Sequence, residues 1–203
     1  TGKLALYIKS DPFGYQSGVF IEDTENLAIP YMKYFRLVDV FLSEFSDVLF
    51  LGGGLYVSPR DFLLRYPLVD VSVVEIDPGL TDIALRYGTI SDTSRLKIYH
   101  TDARVHIKKT KELYDVIDFD VFDKPMQIPF HLVTQEFFRE LQNTLKPGGT
   151  LIMNIVGSLT GPKSIVVKSI GATVRTVFPD VRFYAVKDPQ DATETQNINL
   201  VAC

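Results

Sequence analysis

Three short stretches carry residues whose types and spacing can do chemistry. The first is VLFLGGG, residues 48–54, followed by VVEIDP, residues 73–78. Gly52, Gly53 and Gly54 end an apolar run, and glycines placed there let the backbone approach a ligand closely. Glu75 lies 23 residues after Gly52, near the separation of roughly 20 expected of the acid in a nucleotide-binding βαβ unit. An acid at that strand end can accept hydrogen bonds from both ribose hydroxyls. A dinucleotide fingerprint needs a further glycine for helix–strand packing, and Val57 stands in its place. The pattern therefore argues against a nicotinamide dehydrogenase. It fits a ligand with a nucleoside but no pyrophosphate, such as S-adenosylmethionine or its decarboxylated form. A glycine turn beside an unrelated solvated acid is the plainer reading, and the pairing of the two features weighs against it.

The second stretch is YHTDAR, with Asp102-Ala103 after a strand. An acid at that sheet edge can accept from an adenine exocyclic amine, and it can equally be the N-cap of a helix starting at Ala103. The third is YDVIDFDVFDKP, residues 114–125. Strand alternation puts Asp118 and Asp120 on one side if the strand runs that far. Carboxylates facing a crevice are costly unless paired, solvated or used, and they can bind an ammonium group and take its proton. Function is the stronger reading for Asp120 and Asp123, and a solvated loop acid for Asp118. His100, His106 and His131 are scattered, with no metal-ligand spacing, and read as structural or solvated.

The elements that must position these residues alternate. Strands are predicted at 48–51, 71–75, 96–100, 116–119, 150–155, 181–186 and 197–202. Helices are predicted at 59–66, 78–87, 103–110, 134–145, with Thr134 as N-cap, and 162–178, where Gly171 weakens the middle. A helix is also predicted from about 27 to 43. The expected fold class is α/β: a doubly wound, mostly parallel seven-stranded sheet with an antiparallel edge strand. Residues 4–9 and 18–22 read as short strands around the turn Asp11-Pro12-Phe13-Gly14. They suggest a small N-terminal β appendage over 1–26, with the main domain over 27–203.

Composition narrows the class. The chain has 203 residues, 46% hydrophobic and 23% charged, which is ordinary for a globular domain and excludes disorder or a disulfide scaffold. Twenty-one basic against 25 acidic residues leave a net charge of −4 and a pI near 5.4. That balance argues against an electrostatic nucleic-acid partner and leaves room for a cationic substrate. Cys203 is the only cysteine, so no internal disulfide forms and a reducing, cytoplasmic setting is expected. No apolar run reaches the roughly 18 residues of a membrane span. The chain opens at Thr1 without Met and reads as a trimmed piece of a longer protein, whose other parts could include a membrane segment.

VLFLGGG, VVEIDP, TDAR, YDVIDFD-x-x-D, a TxEFF helix and LKPGGTL occur in this order. Together they resemble the spermidine/spermine synthase family, the polyamine aminopropyltransferases built on the Rossmann-like class I methyltransferase fold. The resemblance runs over about 16–202. It implies transfer of an aminopropyl group from decarboxylated S-adenosylmethionine to a diamine such as putrescine, with no metal, by a homodimer. It places Glu75 on the ribose, Asp102 and Ala103 on the adenine, and Asp120 as the catalytic aspartate. Asp123 and Tyr31 fall to the amine, and Gln16 to a place near the donor. Two departures stand out. Leu55 replaces the aspartate that usually contacts the donor ammonium in GGGDGG, and the acidic pair expected after the glutamine has only Glu22, Asp23 and Glu25 nearby. The loop KPMQIPFHLVT resembles the spermidine-synthase-like branch, sometimes joined to transporter-like membrane segments. An S-adenosylmethionine-dependent methyltransferase, and a catalytically silent nucleoside-binding domain, stay open as alternatives.

Overall fold

A computed structural model describes residues 5–8, 17–20, 27–87, 89–91, 94–123, 126–188 and 190–203. Two short strands, β1 (Ala5–Ile8) and β2 (Ser17–Phe20), pair antiparallel with Ala5 opposite Phe20. The seven strands of the main sheet are β3 (Asp47–Leu51), β4 (Asp70–Glu75), β5 (Leu96–His100), β6 (Tyr114–Phe119), β7 (Leu145–Gly157), β8 (Val181–Ala185) and β9 (Gln196–Ala202). Their order is β5-β4-β3-β6-β7-β9-β8. The pairings from β5 through β7 are parallel, and β9 runs antiparallel between β7 and β8. The antiparallel pair thus forms the edge, as expected from two final strands with no helix between them. The order reverses between β3 and β6. That is the switch point where open α/β sheets leave a crevice beyond the strands' carboxyl ends.

Helices cover both faces. On one, α4 (Ala103–Lys109), α5 (Gln135–Thr144) and α6 (Ile165–Arg175) pack over Leu49, Ile117, Phe119 and Met153, with Phe137, Phe138 and Leu141 fully buried. On the other, α1 (Val38–Phe41), α2 (Val57–Arg65) and α3 (Pro78–Arg86) cover Val48, Phe50, Val71 and Val73. Expected caps are in place: Thr134 accepts from the Phe137 N–H at 3.2 Å and Asp102 from the Val105 N–H at 3.0 Å. Gly171 fits inside α6 because a Cβ there would stand 2.5 Å from the Phe183 ring.

Several boundaries differ from the sequence reading. The helix expected from 27 to 43 is a 3-10 segment over Pro30–Leu37 that passes into α1. Ile29, preceding a proline, stays extended and delays the start. Buried Met32, Phe35 and Val38 recur every three residues, the period of a 3-10 turn rather than of an α-helix. The helix α2 starts at Val57, two residues before Pro59, which sits in the first turn where its missing N–H costs nothing. The strand β7 begins at Leu145 rather than 150, because KPGG bulges: Leu145 faces Tyr114, and pairing resumes with Thr150 opposite Val116. The last helix is shorter than expected, a 3-10 turn over Pro162–Ser164 leading into α6. The predicted turn at 11–14 lies outside the described residues.

Candidate active site

The carboxyl ends of β3, β4, β5 and β6 open into one cavity of about 730 Å³, a volume in the range of small-molecule sites. Its lining includes Gly52, Gly53, Gly54, Glu75, Asp102, Ala103, Asp120, Asp123 and Tyr31. Nine of the ten residues singled out in the sequence therefore meet at one place. The tenth, Gln16, lies outside the described residues, as do Glu22, Asp23 and Glu25.

The glycine turn is built for close approach. Gly52 has φ 94°, and a Cβ there would stand 2.3 Å from the Asp120 carbonyl oxygen, so no side chain fits. The Asp120 N–H donates to the Leu51 carbonyl at 2.9 Å, which ties the ends of β3 and β6 together. Glu75, at the end of β4, is buried and holds the turn. Its Oε2 accepts from the N–H groups of Gly53 and Gly54 at 2.8 and 3.1 Å, and its Oε1 from the Asp77 N–H at 2.9 Å. Both lone pairs of Oε2 are thereby taken, and Oε1 retains one for a further donor. Leu55 is fully buried in the apolar cluster with Tyr31, Met32 and Phe35, and its N–H donates to Ser17 Oγ at 3.3 Å. The position offers the cavity no charge.

Asp120 follows β6 at the cavity floor, partly exposed. Its Oδ2 accepts from the Tyr31 hydroxyl at 2.8 Å and its Oδ1 from Asn154 Nδ2 at 2.9 Å. Asn154 is itself oriented, since its Oδ1 accepts from Asn197 Nδ2 at 3.1 Å. Burial raises the Asp120 pKa above the usual carboxylate value, and the hydrogen bonds from Asn154 and Tyr31 only partly offset it. Burial, with the Asp120 charge and hydrogen bond added, holds the Tyr31 hydroxyl protonated well above its ordinary range. Asp123 stands exposed at the rim, its N–H donating to the Gln127 carbonyl at 3.2 Å.

Asp118 overturns the expectation of a solvated acid. The strand β6 continues through Phe119, and pairing to Phe50 and Ile152 on both sides carries Asp118 into the sheet. It is 1% exposed, and neither carboxylate oxygen has a hydrogen-bond partner among the described residues. Burial first, then the neighbouring Asp120 charge, pushes its pKa well above the usual value.

Asp102 is the N-cap of α4 and also stands on the cavity wall. Burial works against its charge, but hydrogen bonds from His131 and the Val105 N–H outweigh that and lower its pKa. His100 and His106 stay off the cavity lining, in keeping with the structural or solvated reading: exposed His100 hydrogen-bonds Thr81 at 2.9 Å and His106 is buried against Tyr99. His131 departs from that reading. Its Nε2 lies 3.0 Å from Asp102 Oδ2 on the cavity wall, a juxtaposition that no sequence spacing announces. Asn154 was also missed, though a lone amide inside the apolar run LIMNIV is a legible signal.

A family model for the spermine/spermidine synthase domain matches residues 35–200. A polyamine aminopropyltransferase of Vibrio vulnificus (strain CMCP6) is 31% identical over 171 residues, covering 83% of this chain and 54% of that protein. The chain thus spans about half the length of this curated relative. Among solved structures, a probable spermidine synthase from Corynebacterium glutamicum superimposes with a TM-score of 0.81 at 26% identity, over 93% of this chain and 68% of that one. Human methyltransferase-like protein 13, solved in complex with SAH, gives a TM-score of 0.71 at 23% identity, over 86% and 82% of the two chains. The latter likeness is one of fold alone.

Proposed function

The chain belongs to the spermine/spermidine synthase family, and from that premise we propose that it is an aminopropyltransferase. Its donor is decarboxylated S-adenosylmethionine, its acceptor a diamine such as putrescine, and its nucleoside product methylthioadenosine. The observation that carries this reading is the charge of the cavity wall. Glu75, Asp77, Asp102, Asp120 and Asp123 line it, and no lysine or arginine does among the described residues. A low-dielectric cleft with one sign of charge concentrates ligands of the other sign. The decarboxylated donor carries a sulfonium and an ammonium, and a diamine two ammonium groups, so all match this wall. Intact S-adenosylmethionine brings a carboxylate for which the described residues of the wall supply no lysine or arginine.

In this reading Glu75 takes the ribose through the lone pair that Oε1 keeps free, with the glycine turn beneath the nucleoside. Asp102 and Ala103 hold the adenine. An alkylammonium has a pKa of about 10.4 by analogy with lysine, so the acceptor must lose a proton before it attacks. Asp120 takes that proton, and its raised pKa brings it closer to a base useful near neutrality. Asp123 holds the amine by a charge-assisted hydrogen bond. The amine nitrogen then bonds to the methylene beside the sulfonium as the carbon–sulfur bond breaks, the electron pair leaving with the sulfur. Alignment of nitrogen, carbon and sulfur supplies much of the remaining rate. Gln16 is kept near the donor and a homodimer as the working assembly on the resemblance alone, and residues 1–26 as an appendage on the short strands read in the sequence. No helix among the described residues is long and apolar enough to cross a membrane.

Leu55 favours a second reading, methyl transfer from S-adenosylmethionine to an amine, because the position offers no acid to the donor ammonium. Mass spectrometry separates the two. The protein is incubated with each donor and a panel of diamines. Methylthioadenosine with an aminopropylated amine is expected; S-adenosylhomocysteine with a methylated amine would replace the first reading by the second.

A further inference from the structure

We propose that the 3-10 turn Phe130–Leu132 is the base-reading wall of the cavity: Phe130 covers the face of the purine, and His131 sets the Asp102 carboxylate that reads its exocyclic amine. The inference rests on the nucleoside reading given above and deepens it by giving roles to Phe130 and His131, which the sequence reading assigned to no site.

Phe130 lines the cavity yet is 84% exposed. Its ring contact among the described residues is an edge-on approach to His131, with centroids 5.8 Å apart at 79°. With the side chain 84% exposed, most of the ring's surface is open to a planar partner. By contrast, the nearby rings of Phe137 and Phe138 are fully buried. A planar heteroaromatic lying against Phe130 would bury apolar area that otherwise stays wet, and base–aromatic stacking of this kind tolerates any base.

The turn is held in place rather than left to swing. Leu132 is 1% exposed and anchors it in the core. Arg104 donates from Nη1 to the His131 carbonyl at 3.1 Å, while its Nε and Nη2 bind both oxygens of Glu140 at 2.8 and 2.9 Å. This two-pronged pair fixes the direction of the guanidinium, and with it the height of the turn above the cavity.

His131 acts through Asp102. The carboxylate is fixed at both ends, Oδ1 by the Val105 N–H at 3.0 Å and Oδ2 by His131 Nε2 at 3.0 Å. An ionised carboxylate accepts and never donates. Held in one orientation, it welcomes the amine of a 6-amino purine and opposes the carbonyl of a 6-oxo purine. Without His131 the side chain keeps only its anchors to the backbone of α4, and Oδ2 loses the side-chain donor that fixes its aim. His131 is thus a positioning residue, and Phe130 a contact that does not distinguish bases.

Calorimetric binding of 5′-methylthioadenosine and 5′-methylthioinosine tests this without turnover, on the whole chain and on Phe130→Ala, His131→Ala and His131→Gln. The unsubstituted protein is expected to prefer the 6-amino ligand. Phe130→Ala is expected to weaken both ligands by a similar factor, roughly tenfold. His131→Ala should weaken the 6-amino ligand, leave the 6-oxo ligand unchanged and so narrow the preference. His131→Gln, which keeps a donor, should restore most of it. Full preference in His131→Ala, undiminished binding in Phe130→Ala, or no preference in the unsubstituted protein would overturn the proposal. Failure of the unsubstituted protein to bind either nucleoside would overturn the underlying site assignment and this inference with it.

Discussion

Asp120 is the proposed base, and burial together with two side chains decides its charge. Burial favours its neutral form, while Tyr31 and Asn154 each donate to one oxygen and favour the carboxylate. Replacing Asp120 by Asn keeps the shape and removes the base. Turnover should fall by roughly 10²- to 10⁴-fold with methylthioadenosine affinity nearly unchanged; a rate assay beside calorimetry checks both, and unchanged turnover would remove Asp120 from the role. The two donors to Asp120 make a second prediction. The base must be ionised, so activity falls as pH drops through its raised pKa. Tyr31→Phe or Asn154→Leu deletes a hydrogen bond that lowers that pKa, so the acid limb of kcat/KM should move to higher pH. A limb that stays in place or moves down in both variants would show that another group controls it.

At the scale of elements, the site depends on where strands stop. The turn after β3 passes so close to the end of β6 that Gly52 has no room for a Cβ and adopts a φ of 94°. A left-handed backbone costs a non-glycine residue about 1–2 kcal/mol, and here the neighbour is backbone that cannot step aside. Gly52→Ala should therefore lower stability by roughly 2 kcal/mol or more, about 4–8 °C in thermal midpoint for a chain of this size. It should also abolish nucleoside binding, since the turn carries the Gly53 and Gly54 N–H groups that meet Glu75. Thermal unfolding with and without methylthioadenosine measures both effects. The 3-10 segment over Pro30–Leu37 matters in the same way. Its three-residue period lets Tyr31 reach Asp120 while Tyr34 donates to the Ala185 and Val186 carbonyls at 3.3 and 3.2 Å.

For the whole molecule, the dependence of stability on pH has two opposing sources. Asp47, Asp115, Glu112 and Glu140 have lowered pKa values, held down against burial by lysine and arginine partners and by hydroxyl and backbone donors. A lowered carboxylate stabilises the fold above its unfolded pKa of about 4, and that contribution is lost as pH falls through the folded value. Asp118 behaves in the opposite sense. Its raised pKa favours the fold below about pH 4, and this contribution is lost as pH rises toward the folded value. An unpartnered buried acid is therefore a burden at neutral pH. Asp118→Leu should raise the thermal midpoint at pH 7–8, with a gain that shrinks steadily toward pH 4. Melting curves across that range check it, and a gain independent of pH would refute the assignment of the cost to ionisation.

Much of this architecture was legible in the residues because it is local. Alternating apolar runs fix strands and helices, Thr134 and Asp102 announce helix starts, and a glycine turn followed by Glu75 marks the proposed nucleoside site within one βαβ unit. Asp120 and Asp123 stand out because acids at the end of an apolar strand need a reason. Tertiary structure decided what depends on neighbours far apart in the chain. Asp118 is buried rather than solvated because β3 and β7 flank β6 through its whole length. Asn154 reaches Asp120 across 34 positions, and His131 reaches Asp102 across 29. No periodicity encodes these contacts. They arise because the strand order reverses between β3 and β6, which run parallel, and the ends of separate strands gather around one cavity. A strand's own sequence sets which side a residue faces; only the packed sheet sets what it meets there.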